Sequence, residues 1–315
     1  MYPSARAKRR IGLVYDELTR GVNPFSFIET MGVADATDDP AHIAALMDRF
    51  GIVKVRGLYD TERSRELAAT IADFSGLAPD DFHKVLSREL EWANGGHPTL
   101  NDERFWPFAG DDRLRTIVTA MIGDDMVECG SAISAHFTAR PLHRDRRPMV
   151  DNPDSPYWTK RPTKRIIRIL HYCGTSGGSL GYIPFTHDER MFAERAAHVG
   201  FDHDPAWFER HRDVLTTARR ERDFTQADQI DRHVCWAHAD PGDVIMNTAG
   251  IMHCGEFLTG PRYFFVSTYA PADEPHMNIT LKQRGAARFR DYHGYMAAHG
   301  FAGSARVLDR LADDV

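Results

Sequence analysis

Three polar residues are spaced as one metal site: His143 and Asp145 in the run LHRD, and His253 far downstream in IMHCGEF. Two imidazoles and one carboxylate on one face of a metal leave its other face open to substrate and oxygen. That is the ligand set of non-haem Fe(II) oxygenases. Nine residues beyond His253 stands Arg262, a permanently charged fork suited to the far carboxylate of a dicarboxylate co-substrate.

The H-x-D spacing occurs three times, at His143–Asp145, His211–Asp213 and His238–Asp240. The second lies in HDPAWFERHRDVLTTARRER, which reads as a helix with Asp204 as N-cap and Pro205 at its first position. Two residues along a helix are about 200° apart, so His211 and Asp213 point to opposite sides and cannot share an ion. The third could present both side chains on one strand face. It runs directly into the turn signal Pro241-Gly242, however, and a triad with His253 would draw on neighbouring strands alone. His143, Asp145 and His253 are the favoured set, and His238 with Asp240 is the alternative.

Positioning such ligands requires strands around an open mouth, and the chain supplies them late. In AHIAALMDRF, Ile43, Leu46, Met47 and Phe50 recur at helical spacing. Asp60 can cap a second helix carrying Leu67, Ile71 and Phe74. Leu114, Ile117, Val118 and Met121 mark a third, ended by Gly123. From about residue 126 the period shifts toward two. VECGSAISAHFTA, RIIRILHY, HVCWAHA, DVIMN and RYFFVSTY are rich in β-branched and aromatic residues and read as strands. The expected fold is mainly β with helical support, a double-stranded β-helix (jelly-roll, cupin-like) core. One domain is expected over 1–315: helical support over 1–125, the core over 126–275 with a helical insertion near 188–221, and a helical extension over 276–315. Strand parity lets only one of Arg168 and His171 face the interior. A salt bridge is the first expectation for Arg168, and packing rather than metal binding for His136.

Four segments then resemble, in order, the phytanoyl-CoA dioxygenase family. MDRFGIVKVRGLYDTERSRELAATI (47–71) and DDRLRTIVTAMIGDDMVE (111–128) are similar to its opening segments. GGSLGYIPFTHDE (177–189) is similar to its G-x-L-x-x-I-P-G-S-H run. PGDVIMNTAGIMHCGEFLTGPRYFFVSTY (241–269) looks like its closing block, with a G-D strand, the distal His and then the Arg. The resemblance covers roughly residues 42–275. It implies Fe(II) held by His143, Asp145 and His253, and 2-oxoglutarate held by Arg262. It implies C–H hydroxylation with release of succinate and CO2, molecular oxygen being the other reactant. Gly255 stands where the family often has a Ser, and the interval from His253 to Arg262 is slightly short. Asp145 matters because related halogenases carry a small residue there to admit chloride.

Composition bounds the remaining classes. A net charge of −6 gives no reason to expect nucleic acid. Apolar runs such as RIIRIL are too short for a bilayer, and MYPSARAKRR has no apolar stretch after it to act as a secretory signal. Four Cys without C-x-x-C spacing fit a reduced, cytoplasmic setting. Residues 140–168 hold nine Lys or Arg against three Asp. Two readings stay open for that segment: a solvated loop, or a lid, with Tyr157 or Trp158 as a wall, that favours a small acidic or carrier-linked substrate. Two other functions also stay open: a cupin-like isomerase or hydrolase using the same ligands without oxygen chemistry, and an inert binding protein on the same scaffold.

Overall fold

Short acidic side chains start the helices by accepting backbone N–H groups that have no partner within the helix. Asp39 accepts from Ala41 at the head of α1 (Pro40–Phe50), and Asp60 from Arg63 at the head of α2 (Thr61–Ser75). Asp111 takes the N–H groups of Arg113 and Leu114 at the head of α3 (Asp112–Ile122), and Gly123 closes that helix. The stripes read from the sequence are the buried faces: Ile43, Met47 and Phe50, then Leu67 and Ile71, then Leu114, Ile117, Val118 and Met121. The computed structural model describes residues 23–87, 89–91, 93–136, 166–174, 177–198, 234–255 and 260–313.

Strands run through the chain as β1 (Gly32–Asp35), β2 (Ile52–Arg56), β3 (Ala93–Gly96), β4 (Met126–Ala135), β5 (Ile167–Cys173), β6 (Gly178–Ile183), β7 (Cys235–Ala239), β8 (Val244–Thr248), β9 (Met252–Gly255) and β10 (Tyr263–Pro271). They form two sheets, one ordered β1-β2-β8-β5-β10-β4-β3 and one ordered β7-β6-β9. Alternation along β5 and β10 sorts side chains onto two faces. Leu170, Tyr172 and Val266 pack against Leu180 and Tyr182 of the small sheet. Ile167, Ile169 and Phe265 pack in the cluster that holds Leu67, Ile71, Leu114 and Val118 of the helices. The layers are therefore helices, large sheet and small sheet, which is the jelly-roll core with helical support.

The residues before 126 do more than support that core. β1 and β2 extend one edge of the large sheet and β3 the other. β1 is four residues long, and β3 reads ANGG, a composition of low β-propensity with no alternation to detect. Later come α4 (Glu189–His198), within the expected insertion, and then α5 (Glu274–Leu281), α6 (Phe289–Ala298) and α7 (Ala302–Asp313). Among the described residues no helix is long and apolar enough to cross a membrane.

The Pro241-Gly242-Asp243 turn ties the two sheets together where β7 passes into β8. The Asp243 carboxylate accepts the N–H groups of Gly57 and Asp240 and sits 2.9 Å from Lys54 Nζ. Gly242 has φ 95°, and a Cβ there would lie 2.4 Å from the Tyr59 carbonyl oxygen, so only glycine fits.

Candidate functional site

β9 pairs with β6 so that His253 lies opposite Tyr182 and Gly255 opposite Leu180. His253 is 4% exposed, and its Nδ1 lies 3.0 Å from the Ile251 carbonyl oxygen. A carbonyl only accepts, so Nδ1 carries the proton and Nε2 keeps its lone pair. That lone pair faces Arg168, whose Nη1 donates to it at 3.0 Å. Arg168 comes from β5, in the other sheet, beside Thr268 and Asn247 in register. Arg262, also 4% exposed, stands just ahead of β10 with its guanidinium 5.4 Å from the centre of the Phe264 ring. His253, Arg168 and Arg262 line a single cleft between the sheets, walled by Leu170, Tyr172 and Phe264.

Two neighbours set the place of Arg262. His136, with φ 52°, donates its backbone N–H to the Arg262 carbonyl at 2.9 Å. Its Nε2 lies 2.8 Å from the Ala78 carbonyl, which fixes the proton there and leaves Nδ1 to accept the Arg262 N–H at 3.4 Å. Burial lowers the His136 pKa and keeps this clamp neutral. His136 is thus a fully buried packing histidine, as the sequence reading expects. Gly178 clears space: a Cβ on it would come 2.3 Å from the Tyr172 ring and 3.0 Å from Arg262 Cδ.

The structure thus brings together two of the four residues singled out in the sequence, His253 and Arg262. His143 and Asp145 lie outside the described residues. So do His211, Asp213 and the basic segment up to residue 165, with Tyr157 and Trp158. The alternative set is fully described and does not assemble. His238 sits opposite Ser179 and His253 opposite Tyr182, three positions apart on β6, so the two rings project from opposite faces of the small sheet. His238 Nδ1 contacts the Ser179 hydroxyl, and Asp240 is exposed. Among the described residues no three His, Cys, Asp or Glu side chains are grouped to hold a metal.

Of the two parity candidates on β5, Arg168 faces the cleft and His171 the helices. His171 Nδ1 meets the Tyr59 hydroxyl and Nε2 the Ser267 hydroxyl, each at 2.9 Å. Burial pushes its pKa down to about 3, so it stays neutral and occupied. The contact of Arg168 with His253 spans 85 residues and two sheets, and no local spacing encodes it.

The residues present suit a metal and a dicarboxylate as far as they are described. His253 has Nδ1 tied to a carbonyl and Nε2 turned into the cleft, the orientation a metal-ligating imidazole requires. Arg262 is a buried cation beside an aromatic face, and a carboxylate partner satisfies such a group.

No family model matches the chain, and no curated protein matches it. Among solved structures it is similar to EctD from S. alaskensis, crystallised with 2-oxoglutarate and 5-hydroxyectoine. That likeness has a TM-score of 0.47 at 18% identity, over 75% of this chain and 78% of that one. It is also similar to HygX from Streptomyces hygroscopicus with iron bound, with a TM-score of 0.41 at 15% identity, over 73% of this chain and 86% of that one. At these values the likeness carries no argument about individual residues or chemistry.

Proposed function

We propose that this chain is an Fe(II)- and 2-oxoglutarate-dependent dioxygenase, similar to the phytanoyl-CoA dioxygenase family, that hydroxylates a C–H bond of a small anionic metabolite or natural-product intermediate. One observation carries the reading. His253, read from the sequence as metal ligand, lies on β9, and Arg262, read as carboxylate anchor, stands just ahead of β10, and both line the same cleft.

In this reading His143, Asp145 and His253 hold the iron and Arg262 takes the far carboxylate of 2-oxoglutarate. The bound iron and 2-oxoglutarate supply the oxidising chemistry, consuming O2 and releasing succinate and CO2 as one oxygen atom enters the substrate. The chain's own residues bind, orient and exclude water. His253 offers Nε2 with its ring held by Ile251. Arg262 offers a fork on a backbone that His136 holds, its stem passing where Gly178 has no side chain. Leu170, Tyr172 and Phe264 keep the wall between them apolar, which strengthens each charged contact inside. Four free cysteines, three of them buried, support a cytoplasmic setting for a single-domain enzyme.

The test is oxygen-dependent formation of succinate from 2-oxoglutarate by the Fe(II)-loaded chain, screened with small carboxylic and phosphorylated acids. Succinate that requires both iron and oxygen supports the reading. Stoichiometric iron with no succinate under any acid would contradict it and favour a metal-dependent isomerase or hydrolase on the same barrel.

A further inference from the structure

We infer that Ser134 and Asn94 form a subsite at the open side of the cleft that binds an amide group of the substrate, remote from the bond that reacts. The inference rests on the proposed function and names a part of its substrate.

The register of the large sheet sets Tyr172, Phe264, Ser134 and Asn94 in one row across β5, β10, β4 and β3. Tyr172, Phe264 and Asn94 line the cleft, and so does Ala132, two residues before Ser134 on the same face of β4. Exposure rises from β5 to β3. Leu170 and Tyr172 are buried, Phe264 and Ala132 are half-buried, and Asn94 is exposed. The cleft therefore opens toward β3. That rim is nearly bare, because residues 95 and 96 are glycines, and a Cβ on Gly95 would meet nothing within 4 Å. Of the four residues of β3, only Asn94 has a side chain that can hydrogen-bond.

Ser134 supplies a second, independent observation. It is 1% exposed, and among the described residues its hydroxyl has no hydrogen-bond partner. A buried hydroxyl in that state has lost its water and gained nothing in return. Residues directly opposite on paired strands stand with Cβ atoms about 4.5–5.5 Å apart, so Ser134 and Asn94 can grip one group between them. Exposed side chains change rotamer within nanoseconds, which lets Asn94 turn aside and admit that group to the hydroxyl.

A hydroxyl and a carboxamide each donate and accept, which matches a group with one N–H and one C=O. A carboxylate has no proton to give, and Arg262 in the same cleft suits it better. Sheet order puts β3 three strands from β5, which carries Arg168 beside His253. At about 4.8 Å per strand that is about 14 Å. The substrate is therefore elongated, with its amide at the rim and its reacting carbon near His253. Leu170, Val266 and Ala132 line the way between with apolar surface.

The test is saturation-transfer NMR on the chain loaded with 2-oxoglutarate and Zn(II), which does not turn over. It is titrated with N-methylhexanamide or with methyl hexanoate. The two probes differ only by an N–H in place of the ester oxygen, and neither has a charge for the arginines to hold. Wild type is expected to prefer the amide by about fivefold or more, the value of one or two hydrogen bonds. Asn94→Ala and Ser134→Ala are each expected to bind the amide about fivefold more weakly, losing one such bond, and to bind the ester as wild type does. A general loss of structure would weaken both probes alike.

Affinity for 2-oxoglutarate, measured by calorimetry on the same proteins, is expected to be unchanged in both variants. A wild type that binds neither probe, or shows no preference for the amide, overturns the inference. So does a preference that either variant keeps. Weaker 2-oxoglutarate binding by Ser134→Ala also overturns it, because the hydroxyl then belongs to the co-substrate. In each of these cases the proposed function stands wherever wild type binds 2-oxoglutarate only with metal. A metal-loaded wild type that binds no 2-oxoglutarate overturns the proposed function and this inference together.

Discussion

On the helix-facing side of β5, His171 uses both ring nitrogens inside the protein, on the hydroxyls of Tyr59 and Ser267. Three residues earlier, on the opposite face of the same strand, Arg168 reaches across to the small sheet and meets His253. Glu128 belongs with His171: it is 3% exposed, and burial pushes its pKa up to about 8. Arg262 belongs with Arg168, its guanidinium in the cleft. The helix side of the large sheet contains its titratable groups by keeping them neutral. The cleft side instead sets two permanent cations and an imidazole along the wall of a cleft, with Arg168 bonded to His253. The difference separates polar residues bonded within the core from those that line the cleft: His171, Glu128, His253 and Arg262 are all buried, and Arg168 is half-buried.

Exchanging the two histidines should break this comparison most sharply. His253→Ala is expected to lower Fe(II) or Mn(II) affinity by more than about 100-fold, beyond the 10–100-fold of residues that only support a ligand. His143→Ala and Asp145→Ala should do the same in calorimetry, and Asp213→Ala should not. His171→Gln should leave metal affinity alone and lower unfolding stability by about 1–3 kcal/mol, because partners on both sides lose their bonds. Arg262→Met comes next, with 2-oxoglutarate binding weakened about 30-fold or more, the cost of removing one partner of a buried charge pair, at unchanged metal affinity.

Acid and base should separate the neutral groups. His171 has a folded pKa of about 3 against an ordinary 6.5, so the unfolded chain takes up its proton first. Its contribution to stability is full above 6.5 and is lost as pH falls toward 3. Denaturant midpoints of His171→Gln should therefore depend less on pH across that window than those of wild type. Glu128 runs the other way, with a folded pKa of about 8 against an ordinary 4.5. Its contribution is full below 4.5 and is lost as pH rises through about 8, so Glu128→Gln should gain stability relative to wild type as pH climbs through that range.

A smaller effect is expected at His136, a positioning residue behind Arg262. His136→Phe should raise the KM for 2-oxoglutarate several-fold, about the value of one hydrogen bond, with kcat little changed. The smallest belongs to the rejected triplet. His238→Ala and Asp240→Ala should each stay within about 0.5 kcal/mol of wild-type stability and leave metal binding as it was.

Much of this arrangement was legible in the residues themselves. Alternation placed β5, β7, β8 and β10, and Asp60 and Gly123 marked helix ends that the structure shows as caps. His253 and Arg262 stood out because chemistry restricts which residue types can do their work. Strand parity also narrowed the β5 candidates to Arg168 or His171 but could not choose, since the choice depends on which face meets the small sheet. What stayed hidden was set by three-dimensional contact. The pairing of Arg168 with His253 crosses two sheets, the turn of His136 onto Arg262 needs a left-handed backbone, and β3 is built from glycine and asparagine that carry no strand pattern. Gly178 entered the sequence reading only as the opening glycine of the G-x-L-x-x-I-P resemblance, and the ring of Tyr172 and the stem of Arg262 show why it has no side chain.

The most direct test of the account is anaerobic titration of the Fe(II)-loaded chain with 2-oxoglutarate, following the visible charge-transfer absorption of an iron–2-oxo acid chelate. The account predicts a band that saturates with wild type, needs far more 2-oxoglutarate with Arg262→Met, and is absent with His253→Ala. Stoichiometric iron with no band, or a band indifferent to both substitutions, would contradict it.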